Sequence, residues 1–134
     1  MLMPDTNVWI QLIKGRNPVL TARWRSLPAD DIATCSIVKA ELWHGAHKYE
    51  NAAKRRAIVE FWLSPYESLP FDDVAASHYA DIRHHLESKG EVIGPNDLKI
   101  AAICRANGLT LATGNLSEFR RVPDLKLEDW SAKV

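Results

Sequence analysis

The chain opens on an apolar run, Met1-Leu2-Met3-Pro4, which Asp5-Thr6-Asn7 cuts off before an amphipathic segment begins. Such a break reads as a short strand ending in a carboxylate, with a helix springing from the same point. Thr6 is the expected N-cap of a helix over residues 7–14, with Gly15 at its stop. Pro18 suits the first turn of a second helix over 18–27, and residues 28–31 form a turn. The run 31–35 reads as a buried strand. Ser36 then caps a third helix whose apolar content is Ile37, Val38, Ala40, Leu42 and Trp43. Residues 51–63 predict a fourth helix, with Ile58, Phe61 and Trp62 turned inward and Lys54-Arg55-Arg56 on a solvated face. A weak strand over 67–71 leads to Asp72, the cap of a fifth helix carrying Val74, His78, Ile82 and Leu86. A sixth helix covers 96–106, closed by Asn107-Gly108. Residues 109–113 form the cleanest strand, broken by Gly114-Asn115. A single helical turn over 116–121 and a short strand over 125–127 complete the chain.

Strands alternating with helices predict an α/β fold with a short central parallel sheet flanked by helices on both faces. Neither a linker nor an internal repeat divides the 134 residues, so one domain over 1–134 is expected. Pro4 is the discordant residue, because proline cannot donate to a ladder. It marks either the end of the first strand or an early bend towards Asp5.

Composition narrows the function classes. The 46% apolar and 25% charged content is that of a soluble globular protein. The 17 basic residues balance the 17 acidic ones, so affinity for nucleic acid would have to come from a local basic surface. Cys35 and Cys104 lack any zinc-type spacing and are expected to be buried free thiols. The N-terminus lacks the pattern of a signal peptide, and no run approaches the ~20 apolar residues of a membrane span. A cytoplasmic protein without membrane attachment is expected. His44, His47, His84 and His85 have no accompanying ligand pattern.

Three acids break the pattern and do so in the same way. Asp5 ends an apolar strand. Glu41 shares helical spacing with Ile37, Ala40 and His44. Asp97 precedes Ile100, Ala101 and Cys104 on the apolar stripe of its helix. A carboxylate turned towards a core is costly, and several together raise one another's pKa values. A divalent cation removes that cost, and an all-oxygen set suits Mg²⁺ or Mn²⁺. Taken singly, Asp5 also fits a helix cap, and Asp97 fits the dipole of its helix. A fourth position lies after the strand over 109–113, where Thr113-Gly114-Asn115 stands as Asp5-Thr6-Asn7 stands after the first. Asn115, Ser117 and Glu118 all qualify: Glu118 has the charge, Asn115 the closer position.

These residues resemble the PIN-domain ribonucleases, specifically the VapC-type toxins of bacterial type II toxin–antitoxin systems. The resemblance rests on Asp5-Thr6-Asn7, on Lys39-Ala40-Glu41-Leu42 with Gly45-Ala46, and on Ile93-Gly94-Pro95-Asn96-Asp97 with Ile100-Ala101-Ala102. It continues through Leu111-Ala112-Thr113-Gly114-Asn115, Glu118-Phe119 and the tail 122–130. Their order and spacing over nearly the whole chain carry the signal. Pro4 and Gly114 depart from the family pattern, and neither removes a ligand.

The resemblance implies a three-layer α/β/α PIN-like domain and an Mg²⁺- or Mn²⁺-dependent endoribonuclease. In such an enzyme Asp5, Glu41 and Asp97 hold the metal, and Glu118 or its neighbour Asn115 is a fourth catalytic position. Thr6, Asn7, Thr113 and Asn115 are accessory or substrate-contacting. It also implies an RNA substrate (tRNA among the candidates), a cognate antitoxin, and a homodimer that forms a heterotetramer or larger assembly with it. Trp9 and Trp43 are expected to wall the groove that the antitoxin enters. Lys14, Arg16, Lys39, Lys99, Arg120 and Arg121 are the candidate phosphate contacts. The alternative within the family is a catalytically silent PIN scaffold that binds RNA or protein. A receiver-like domain would want a second acid beside Asp5, and an aspartyl phosphatase would want Asp-x-Asp where Asn7 stands.

Overall fold

A computed structural model describes residues 1–131. The last three residues of the expected domain, 132–134, lie outside that range. The elements run β1 (Leu2–Pro4), α1 (Thr6–Lys14), α2 (Pro18–Arg25), β2 (Ala33–Cys35), α3 (Ser36–Ala46), α4 (Ala52–Leu63), β3 (Glu67–Leu69), α5 (Asp73–Ser88), α6 (Pro95–Ala106), β4 (Thr110–Thr113), α7 (Leu116–Phe119) and β5 (Lys126–Asp129). A single 3₁₀ turn, Ala29–Asp31, precedes β2.

All strand pairs are parallel. β1, β4 and β5 form one ladder and β2 and β3 another, and the isolated bridge Leu2↔Ile32 joins them in the order β3-β2-β1-β4-β5. The chain therefore moves one way from β1 to β3, then jumps back past β1 to β4 and β5. Right-handed crossovers put α1–α4 on one face and α5–α6 on the other. The result is the expected three-layer arrangement. The connections part at the β1–β4 boundary, a topological switch point where open α/β sheets bind ligands beyond the strand ends.

This topology accounts for Pro4. The Met1 carbonyl and the Asp5 amide bond to β4, at Thr110 and Ala112. Residues alternate sides along a parallel strand, so Pro4 turns its nitrogen towards β2, where the ladder is one bridge at Leu2. The missing N–H faces a gap in the pairing, so proline is tolerated in a central strand.

Two caps differ from expectation. Asp5 rather than Thr6 is the N-cap of α1, accepting from the Val8 amide at 2.9 Å, because the helix starts one residue earlier than predicted. Cys35 holds the cap position of α3 without a side-chain bond, and Ser36 is already helical. Gly15 closes α1 with φ 65°, the left-handed conformation that glycine accepts without a Cβ penalty.

The core is built from Met3, Trp9, Leu12, Val38, Ile82, Leu86, Ile100, Ile103 and Leu111, with Phe119 and Trp130 closing it beside β5. Cys35 and Cys104 are buried free thiols within it. Phe61 and Val74 overturn the apolar assignments made for their helices. Phe61 is 77% exposed and Val74 57%, because α4 buries Val59 and Leu63, two positions to either side of Phe61, and α5 buries Ala75, one position from Val74. No helix among the described residues is long and apolar enough to cross a membrane.

Candidate functional site

The acids meet beyond the C-terminal ends of β1 and β4. Asp5 stands where β1 ends, and its side chain is 5% exposed. Both of its oxygens have partners. Oδ1 accepts from the Val8 amide, and Oδ2 accepts from the Thr113 hydroxyl at 2.5 Å. That second bond crosses the switch point from β4 to β1. The Thr113 oxygen in turn accepts from the Asn115 amide at 2.9 Å, so the turn after β4 fixes the hydroxyl that fixes the acid. Burial raises the Asp5 pKa, the bonds from Thr113 and Val8 oppose the rise, and the nearby Glu41 charge adds to it.

Glu41 lies half-buried on α3. The Thr6 hydroxyl donates to its Oε1 at 2.6 Å, and the Asn96 amide reaches Oε2 at a long 3.5 Å. Residues of α1 and α6 thus hold the side chain from both sides. Ala40 and His44, which share its helical spacing, are exposed, so Glu41 sits on the border of the buried face rather than within it.

Asp97 occupies the third position of α6, after Pro95 at the first. A helix N-terminus ordinarily favours a carboxylate. Here other effects win: burial, then the charges of Glu41, Asp5 and Glu118, raise its pKa to about 6. No hydrogen bond or ion pair among the described residues relieves it.

Glu118 and Asn115 take different places beside the acids. Glu118, half-buried on α7, contributes to the field at Asp97. Asn115 instead builds the turn, giving its amide to Thr113 and accepting from the exposed Ser117 hydroxyl at 3.4 Å. Thr113 is fully buried, with its hydroxyl turned to Asp5. Asn7 is exposed and lines a cavity of about 380 Å³ with Thr6, Glu41, His44 and Asn96. At Gly114 an added Cβ would meet Ser131 at an ordinary 3.5 Å, so the departure from the family pattern leaves packing room for a side chain.

Other expectations are redistributed. Trp9 is fully buried against Tyr66 and walls no groove. Trp43 lines a separate cavity with Lys39, under the Arg56 guanidinium, so Lys39 is also removed from the acids. Arg121 donates to the Val92 carbonyl, while Lys14 does line a cavity that Glu41 shares. Sequence reasoning missed Lys48, Tyr49 and Arg55, which line that same cavity. Their signal was an isolated cation after α3 and a helix face set aside as solvated.

Among the described residues, no three His, Cys, Asp or Glu side chains form a ready-made cage for an ion. The donors present still suit one chemistry. They are carboxylate and hydroxyl oxygens, with no basic partner among the described residues, around an acid that resists ionising. Mg²⁺ is commonly held by one or two carboxylates, with waters and substrate phosphate completing its shell.

A family model described as PIN domain matches residues 2–125. The chain is 38% identical to Ribonuclease VapC2 of Haemophilus influenzae over 128 residues, 96% of either chain. It is equally similar, 38% over 128 residues and 96% of each, to the tRNA(fMet)-specific endonuclease VapC of Salmonella typhimurium. Among solved structures, VapBC2 from Rickettsia felis bound to a DNA fragment from their promoter superposes with a TM-score of 0.89 at 35% identity, covering 96% of this chain and 98% of that one. VapBC-1 from nontypeable Haemophilus influenzae gives 0.87 at 32%, covering 97% and 98%.

Proposed function

The chain belongs to the PIN-domain family, among the VapC-type ribonucleases, and from that premise we propose a divalent-metal-dependent endoribonuclease that acts as the toxin of a toxin–antitoxin pair. The observation that carries this reading is Asp97, a half-buried carboxylate raised to about 6 with three acids around it and no cationic partner among the described residues. In this reading Asp5 and Asp97 hold Mg²⁺ or Mn²⁺, directly or through water, and Glu41 completes the acidic pocket. An ion held there would supply Lewis acidity to the scissile phosphate and to an attacking water.

The protein's own share is orientation and charge. Thr113 and the Val8 amide hold the Asp5 carboxylate in one rotamer. Thr6 ties down Glu41 Oε1 and leaves Oε2, with its long contact to Asn96, to orient water or accept a proton. Glu118 adds charge on the far side and would serve a second ion. Hydrolysis by this route leaves 3′-hydroxyl and 5′-phosphate ends.

The relatives' names supply the finer proposals. A tRNA substrate is suggested by the tRNA(fMet)-specific relative, and an antitoxin partner by the VapBC assemblies. A homodimer joined to antitoxin in a heterotetramer or larger complex follows the same analogy. The deciding experiment is cleavage of total RNA by the purified chain in Mg²⁺, with EDTA and Asp5→Asn as controls. Cleavage that EDTA and the substitution both abolish is expected. Full activity of Asp5→Asn overturns the site, and absence of cleavage leaves the silent scaffold as the reading.

A further inference from the structure

The cavity beside the acids continues into a second one. The first holds Thr6, Asn7, Glu41 and Asn96. The second, about 240 Å³, runs between α1 and the α3–α4 connection. Ile10, Glu41, Gly45 and Lys48 line both, so they form one groove. Gly45 sits at the junction, with open space where its Cβ would be. Along the groove the charge reverses. It starts at Glu41 and passes Lys48 to Lys14 and Arg55. Neither lysine has an acidic partner among the described residues. Arg55 lies over the ring of Tyr49, its guanidinium carbon 4.3 Å from the centroid, and Tyr49 is 44% exposed.

This arrangement needs explaining in a chain of zero net charge. A strand cut at the acids must run on past them, carrying a phosphate at every step. Unpaired cations beyond the acids, ending in a cation–aromatic pair, match single-stranded nucleic acid, where phosphates take charge and bases take planar surfaces. We infer that Lys14, Lys48 and the Tyr49–Arg55 pair form the track that holds the RNA strand flanking the scissile phosphate. The inference rests on the ribonuclease reading and names its binding residues. It also makes the Gly45 junction the passage between the cutting and holding parts of the groove.

The test uses the full chain in an Asp97→Asn background, so that bound RNA stays intact. Binding of a labelled oligouridylate is followed by anisotropy across a salt series, with and without Lys14→Gln/Lys48→Gln, and with Lys89→Gln as a remote control. Circular dichroism confirms that the exposed substitutions leave the fold intact. Removing two phosphate contacts is expected to cut the slope of log affinity against log salt by about 0.7 per contact and to weaken binding on the order of tenfold. Lys89→Gln leaves both unchanged. In the cleaving chain the double variant raises KM more than it lowers kcat, and Arg55→Lys retains more binding than Arg55→Gln. An unchanged slope, while the parent chain still cleaves RNA, overturns the track and leaves the ribonuclease standing. A reduced slope in a chain that does not cleave overturns the ribonuclease and keeps the track. Loss of affinity for an acidic peptide with an unchanged RNA slope assigns the groove to a protein partner and overturns the proposal.

Discussion

Two regions near the sheet treat their carboxylates in opposite ways. At the β5 edge, Glu128 is answered in full. The Arg23 guanidinium on α2 pairs with it, donates to the Asp129 carbonyl at 2.7 Å, and lies 4.6 Å from the centroid of Trp130, whose Nε1 also donates to Glu128. At the β1–β4 switch point Asp5, Glu41, Asp97 and Glu118 share a field without a basic partner among the described residues, and Asp97 is raised to about 6. The same side-chain chemistry is neutralised where it supports the fold and left charged where topology opens a crevice. Folding alone would not select the second arrangement. The divalent cation proposed for this site would account for it.

The widest separation between the regions is in activity. Asp97→Asn removes one charge without changing shape, and it should lower kcat/KM for RNA cleavage by about 10³-fold or more, roughly 4 kcal/mol of transition-state stabilisation. Retained cleavage would remove Asp97 from the site. Thr113→Val should come next. It strips the buried donor from Asp5 Oδ2 and the acceptor from the Asn115 amide. Activity should fall ~10–100-fold and stability by ~1–3 kcal/mol. Thr113→Ser should restore most of both, which a purely steric role for the methyl group would not allow.

The contrast was only partly legible in the sequence. The alternation of strands and helices pointed to the parallel sheet, and an acid ending an apolar strand and another on an apolar stripe singled out Asp5 and Asp97 as neighbours. What escaped depended on details finer than a period. Asp5, rather than the expected Thr6, caps α1 and at the same time stands among the acids, because a carboxylate has two oxygens and α1 starts at Thr6. Phe61 and Val74 were misplaced because each step of one residue turns a helical side chain by more than a quarter of a circle, and the buried positions lie two residues from Phe61 and one from Val74. Trp9 was placed near the acids by its position in the chain, yet it points into the core. The Glu128–Arg23 pairing joins residues 105 apart, and nothing in local pattern announces it.

A third separation is thermodynamic and opposite in sign to the first. The folded-state pKa of Asp97 is raised from 3.8 to about 6, so the folded chain binds that proton more tightly than the unfolded one. The metal-free fold therefore loses stability as pH rises from about 4 to about 6, and the penalty is complete above that window. Solvent screening of this half-buried group reduces the penalty to on the order of 1 kcal/mol. Asp97→Asn should then raise the Tm of the metal-free protein at pH 7 by roughly 3–5 °C and flatten its pH dependence between 4 and 6. Mg²⁺ should raise the Tm of the parent chain and do less for the variant. A lower Tm for Asp97→Asn would show that the carboxylate supports the fold, as Glu128 does, and the contrast between the regions would collapse.

The smallest expected effect lies at the β5 edge. Arg23 and Glu128 are about two-fifths exposed, 41% and 38%, so water and salt screen their attraction. A double-mutant cycle with Arg23→Gln and Glu128→Gln should give a coupling energy of about 0.5–1 kcal/mol that shrinks as salt is added. Arg23 loses more than a charge when it is replaced, because it also leaves the Asp129 carbonyl and the Trp130 ring. The single Arg23→Gln cost should therefore exceed that of Glu128→Gln. Neither substitution should move the cleavage rate, since neither residue joins the acids. A change in cleavage would mean that the β5 edge positions the switch point through Trp130, whose amide donates to the Thr113 carbonyl at 2.9 Å. In that case the two regions would be one device, with the neutralised acids holding the strand end on which the charged ones depend.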